Sequence, residues 1–211
     1  MTITNTRTPK RWKLLAVAGL GVSLLLAGCG GSDDDAGESD DAESLGFVGT
    51  VEGTDAFVSV LVADNDTDTD PDEAIVYICD GDAELREWFQ GPIDDPSTFE
   101  LANDAGAAVT LELVDGVFEG EFTDTAGSTH GFDTVEATGD AGLYEVDDEQ
   151  ATEEEVWAAW VVDNDGNEQG AFLRSGVFQP TIRLSASPFR LSRFSVTNGV
   201  IEMNGIIAPN N

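Results

Sequence analysis

The chain has 211 residues, of which 42 are acidic and nine are Lys or Arg, giving a formal net charge of −33. That balance weighs against binding nucleic acid or anionic lipid headgroups, both of which need positive patches, and leaves cations or a cationic partner as the compatible class. One histidine and two cysteines likewise weigh against zinc, because they fall short of its usual ligand set.

The acids are unevenly spread. Residues 1–28 contain none, and instead carry Arg7, Lys10, Arg11 and Lys13 followed by an apolar run from Leu14 to Ala27. Positive, then apolar, then small residues is the order of a secretory signal peptide, and the run is short for a membrane-spanning helix of roughly 20 residues. It ends Leu26-Ala27-Gly28-Cys29, which resembles the lipobox of bacterial lipoproteins. The resemblance implies a diacylglyceryl group on the Cys29 sulfur, cleavage after Gly28, and a mature chain held on the cell membrane facing outside the cytoplasm. Lys10-Arg11 is not a twin-arginine pair, which points to the general secretory route. Two or more acyl chains anchor stably where one does not, so the lipid bilayer is the expected partner of Cys29.

Residues 29–46 read as a tether. From Gly30 to Gly46, seven of 17 residues are acidic and only Leu45 could join a core, so the segment is expected to be a disordered, self-repelling spacer. Beyond the signal the only basic residues are Arg86, Arg174, Arg183, Arg190 and Arg193, with no lysine. An acid-rich, lysine-poor surface suits solubility at high salt, where self-repulsion is screened.

Residues 47–211 are long enough for one domain with a real core, and the pattern is β, an antiparallel meander closing as a barrel or a sandwich. Runs 56–63 and 74–79 are apolar on both faces, as buried strands are. Between them Asp64, Asp66, Asp68, Asp70 and Asp72 place a carboxylate at every second residue. Calcium takes six to eight oxygens from loops of this kind. The EF-hand pattern is not met, since Thr69 stands where its glycine belongs and Ile75 where its bidentate glutamate belongs. Cys79 closes the second run as a small buried hydrophobe, without a partner once Cys29 is lipidated.

A short helix is expected over 82–90. Asp82 can cap it, Leu85, Trp88 and Phe89 share one face, and Gly91-Pro92 stops it. Further on, Val109, Leu111 and Leu113 alternate with polar residues and so do Phe118 and Phe122, with Asp115-Gly116 between them as a hairpin turn. His130 lies beside a turn and reads as an ordinary strand-edge residue. Segment 152–162 reads as a strand running into the turn Asp163-Asn164-Asp165-Gly166-Asn167, although Thr152 and Glu155 have capping-box spacing. Asn198-Gly199 marks a last hairpin between Phe194–Thr197 and Val200–Met203.

Self-comparison aligns Val60–Asp66 with Ala159–Asp165, Thr98–Leu101 with Thr181–Leu184, and Asp115–Glu119 with Asn198–Glu202, in the same order. This suggests two related halves, 47–138 and 141–207, and puts Asp163, Asp165 and Asn167 where the first half has its acidic series. Tyr77–Gly81 with Glu87–Gly91, then Gly139–Tyr144 and Val161–Gly170 together resemble an uncharacterised β domain of secreted actinobacterial proteins. The resemblance spans most of 47–170 and implies no activity.

Enzyme signatures are scarce. No nucleophile motif accompanies His130, no Gly-rich loop with a Lys leads into a helix, and a close pair of acids is expected by chance in so acidic a domain. The expectation is a non-catalytic binding or interaction domain with no cofactor. The alternative is a calcium-stabilised structural domain of the cell envelope, with Asp64, Asp66, Asp68, Asp70, Asp163, Asp165 and Asn167 as candidate ligands, and a small hydrolase stands behind both.

Overall fold

The computed structural model describes residues 44, 46–64, 71–82, 85–146, 156–180, 183–184, 187 and 191–207. Eight strands form a first antiparallel sheet: β1 (Phe47–Val51), β2 (Phe57–Ala63), β3 (Asp72–Cys79), β4 (Arg86–Ile93), β5 (Thr98–Ala102), β6 (Ala108–Val114), β7 (Val117–Thr123) and β8 (Thr129–Glu136). Six form a second: β9 (Gly142–Val146), β10 (Val156–Val162), β11 (Glu168–Arg174), β12 (Val177–Pro180), β13 (Leu191–Thr197) and β14 (Val200–Ile207). The class is all-β, with no α-helix among the described residues.

The first sheet runs β4-β3-β2-β1-β8-β7-β6-β5 and curls into a nearly closed barrel. Its interior is filled by one side-chain cluster drawn from all eight strands, including Val58, Val76, Phe89, Leu101, Phe118, Phe122 and Phe132. At the seam no ladder joins β4 to β5. Side chains bridge it instead: Asn103 Nδ2 donates to Glu87 Oε2.

The second sheet runs β12-β11-β10-β9-β13-β14. One of its faces packs on the outside of β1–β3, where Val48, Leu61, Ile75 and Tyr77 meet Leu143, Ala159, Val161 and Phe194. Its other face buries Tyr144, Val146, Trp160 and Phe172, with Leu184 against them. Strands β2, β3 and β10 are therefore apolar on both faces because they lie between two packed layers. This accounts for the unbroken runs at 56–63 and 74–79.

Turn chemistry sets the connections. Asp115 and Gly116 both take positive φ (51° and 88°), as do Asn198 and Gly199 (51° and 68°), the geometry of the two-residue turn whose twist matches the strands. Ser175-Gly176 (48° and 76°) makes a third such turn between β11 and β12. Three other hairpins share a longer loop: Asn103–Ala107, Asp124–Ser128 and Asp163–Asn167. In each the first residue's side-chain oxygen accepts N–H bonds from the residues two and four positions on, and the fourth residue is a left-handed glycine.

The expected helix over 82–90 is wrong where it is described: residues 86–90 belong to strand β4, paired with β3 from Cys79↔Arg86 to Asp72↔Ile93. Phe89 points into the barrel and Trp88 points out against the second sheet. A strand with a large apolar group on each face mimics a helical stripe over so short a window. Pro92 does not stop the strand because β4 ends its sheet, and an edge tolerates a missing donor. The strand expected over 152–162 is observed as Val156–Val162, and residues 152–155 lie outside the described residues.

Strands β2 and β10 occupy the same place, second in a meander whose first strands are β1 and β9. The arrangements then diverge. β1 joins β8, with the Asp115-Gly116 hairpin one strand further out, whereas β9 joins β13, the first strand of the Asn198-Gly199 hairpin.

Candidate binding site

The acidic series of the first half begins at Asp64, an exposed residue just past β2. Asp66, Asp68 and Asp70 lie outside the described residues. The second set is placed clearly. Asp163 spends both carboxylate oxygens inside its own loop: Oδ1 accepts from the N–H groups of Asp165 (2.9 Å) and Asn167 (2.7 Å), and Oδ2 accepts from Asn167 Nδ2 (2.8 Å). The same job is done by Asn103, a neutral residue, in the loop after β5. The Asp163 carboxylate is thus a loop-closing acceptor, a role that cation ligation would compete with. No group of three or more His, Cys, Asp or Glu suited to a metal occurs among the described residues. Cys29 lies outside the described residues.

Cys79 and His130, the residue types from which a nucleophile and a base are made, sit in different parts of the molecule. Cys79 is fully buried between the sheets, and burial pushes its thiol up to about 12. His130 is stacked on Phe122 with ring centroids 6.2 Å apart, at the end of the β7–β8 ladder. Around Cys79 the layer between the sheets is aromatic. Tyr77 lies 5.4 Å from Trp88 and 6.1 Å from Trp157, and Trp88 lies 5.9 Å from Phe194. At the rim the Arg86 guanidinium stands 3.4 Å above the Phe178 ring, tying edge strand β4 of one sheet to edge strand β12 of the other. Burial raises the Tyr77 hydroxyl well above its ordinary value. Trp88 and Trp157 are partly buried and pack against this layer.

The recess that both sheets contribute to lies elsewhere. Three connections converge on a cleft of about 720 Å³: β1–β2 with Thr54 and Asp55, β3–β4 with Asp80, Gly81 and Asp82, and β10–β11 with Gly166 and Asn167. Thr50, Glu168, Gln169 and Arg183 line its walls, and Trp160 also borders it. Much of this lining is committed to the protein. Asp80 takes the N–H groups of Asp82 and Leu85 at 3.0 Å each, Glu168 takes the N–H of Leu184 at 3.1 Å, and Gln169 Nε2 donates to the Asp55 carbonyl at 3.3 Å. Gly81 lets the β3–β4 connection lie close against Gln169. Its φ is +76°, and a Cβ there would collide with Gln169 Oε1. The exposed side chains of Thr50, Asp55, Asp82 and Arg183 remain to face solvent across the cleft. The sequence reading missed this site, because its residues are spread over the chain and only the pairing of the sheets unites them. The one local signal was Gly81 closing an apolar run.

Comparisons with protein-family models, with curated proteins and with solved structures find no match for this chain.

Proposed function

We propose that this chain is a bacterial lipoprotein, exported by residues 1–28 and anchored in the cell membrane through lipidated Cys29, whose β domain is a non-catalytic binding module displayed outside the cytoplasm. The anchor reading rests on the order of charge, apolar run and Leu26-Ala27-Gly28-Cys29. The observation that carries the binding reading is the cleft of about 720 Å³ at the junction of the sheets. A concave site with a few uncommitted polar groups is the usual form of a ligand pocket. Asp55 and Asp82 against Arg183, within a strongly acidic domain, favour a polar ligand of net positive charge. The separation of Cys79 from His130 supports the non-catalytic reading.

Two measurements test this. Cys29→Ser should move the protein out of the membrane fraction or leave an unprocessed precursor; a processed form that still needs detergent would refute the anchor. For the cleft, spermidine serves as a small polycationic probe. Titration should perturb amide signals at Thr54–Asp55, Gly81–Asp82 and Asn167–Gln169, and Asp55→Asn with Asp82→Asn should weaken binding severalfold. Perturbations spread evenly over the acidic surface would defeat the site assignment.

A further inference from the structure

The sheet edges of this domain are not treated alike. β4 carries Pro92 and closes on β5 through Asn103 and Glu87, and β12 has only four residues and ends at Pro180. β14 ends the second sheet with eight residues, no proline and one charge, Glu202. Unguarded edges are what natural sheets avoid unless they pair.

Which backbone groups face that edge follows from the other side of β13. Val196 exchanges both its hydrogen bonds with Ser44, outside the ladder (3.0 and 2.7 Å). Its partner in β14, Ile201, is therefore a non-hydrogen-bonded position, and bonding alternates along the strand. Val200 and Glu202 bond inward to β13, while the N–H and C=O of Ile201 and Met203 point away from it. Val200 and Met203 are 36 % and 40 % exposed.

We propose that β14 is a homodimerisation edge, pairing antiparallel with β14 of a second copy about a two-fold axis at Met203. In this register Met203 exchanges both backbone bonds with its symmetry mate, and Glu202 faces Asn204 rather than another carboxylate. A register centred on Glu202 would oppose like charges and is disfavoured. In a chain of net charge −33, an eight-residue edge with a single acid lets two copies approach with little local repulsion. The route of the chain allows it. Ser44 bridges to the side of β13 away from β14, so this contact leaves the edge clear. The 14 residues from Gly30 to Glu43 span at most about 50 Å, enough for two copies anchored side by side to meet. Pairing through β14 does not depend on the lipid anchor, which adds only surface concentration.

The test is sedimentation of the full chain in detergent at 0.15 M and 1 M sodium chloride. A dimer is expected, favoured by salt because screening weakens the repulsion between copies. Met203→Pro removes an outward donor that β13 does not use, a substitution an edge strand tolerates. It should raise the dissociation constant roughly tenfold or more with an unchanged circular dichroism spectrum. Glu202→Gln should tighten the dimer, most visibly at low salt, and keeps the test open should the proline variant unfold. A monomer at both salt concentrations overturns the proposal. So does a dimer indifferent to both substitutions, which would locate the contact elsewhere or in the micelle.

Discussion

Trp157 donates its indole N–H to Glu145 at 2.6 Å, and that carboxylate is only 2 % exposed although it lies between two sheets of a protein crowded with surface acids. Residue 145 stands opposite Ala159 in the β9–β10 ladder, so it faces the layer shared with Tyr77 and Trp88. A buried acceptor stripped of a donor costs about 1–3 kcal/mol. Trp157→Phe keeps most of the ring and removes the N–H, and it should lower the unfolding free energy by about that amount. Glu145→Gln, which keeps an acceptor, should cost less than Glu145→Leu. Denaturant melts of the three variants check the order.

The Asp163 loop separates capping from calcium. Because Asn103 closes its own loop by the same pattern, Asp163→Asn should leave stability nearly unchanged, whereas Asp163→Ala should lower it. Calorimetry with millimolar calcium should give no heat that depends on Asp163. A calcium-dependent rise in melting temperature lost in Asp163→Asn would restore the metal reading for this loop.

On the outer face of the barrel, Glu112, Glu119 and Asp133 stand directly opposite one another on β6, β7 and β8, all exposed. Like charges in register repel across a sheet. Glu119→Lys converts two repulsions into two attractions and should stabilise the domain by on the order of 0.5 kcal/mol at low salt. Molar sodium chloride should erase most of that gain, since the Debye length falls to about 3 Å. A gain unchanged by salt would mean that packing, not charge, was altered.

Glu87 at the barrel seam sets a pH dependence. Burial raises its carboxyl above the ordinary value, ahead of the lowering by the Asn103 hydrogen bond and by Arg86; Asp124 adds to the rise. The folded state therefore holds this proton more tightly than the unfolded chain does. The group's contribution worsens as pH climbs through the window between the unfolded and the higher folded value, and recovers as pH falls back through it. Glu87→Gln keeps an acceptor for Asn103 and removes the charge, so the melting temperature at pH 7 should rise by roughly 1–2 °C. At acidic pH, with Glu87 protonated, variant and parent should melt together.

The parts of the fold legible in the sequence were those fixed by local chemistry. Asp115-Gly116 and Asn198-Gly199 mark their turns because positive φ at two successive residues admits few side chains. The alternation from Val109 to Leu113 is legible because that strand has one wet face. Legibility fails where a strand is dry on both sides. Trp88 and Phe89 answer to different layers, and a sequence window that knows of only one core reads them as a helical stripe. The Ser175-Gly176 turn escaped because serine is an uncommon first residue for it. The cleft at the junction of the sheets could not be read locally, since Asp55, Asp82 and Gln169 come together only through the packing of one sheet on the other.

The bridge from Ser44 to Val196 also decides how the domain bears load. Tension drawn on the chain ahead of Ser44 first meets a single pair of hydrogen bonds, which can yield alone. It then reaches β1, which is not an edge strand but lies between β2 and β8, with four and five register pairs to them. A pull along the axis of a strand held on both sides loads its bonds together, in shear, rather than peeling them one at a time. The domain thus has an early slip at Ser44 and a firm hold behind it, so a pull on the N-terminal side frees Ser44 before it threatens the barrel.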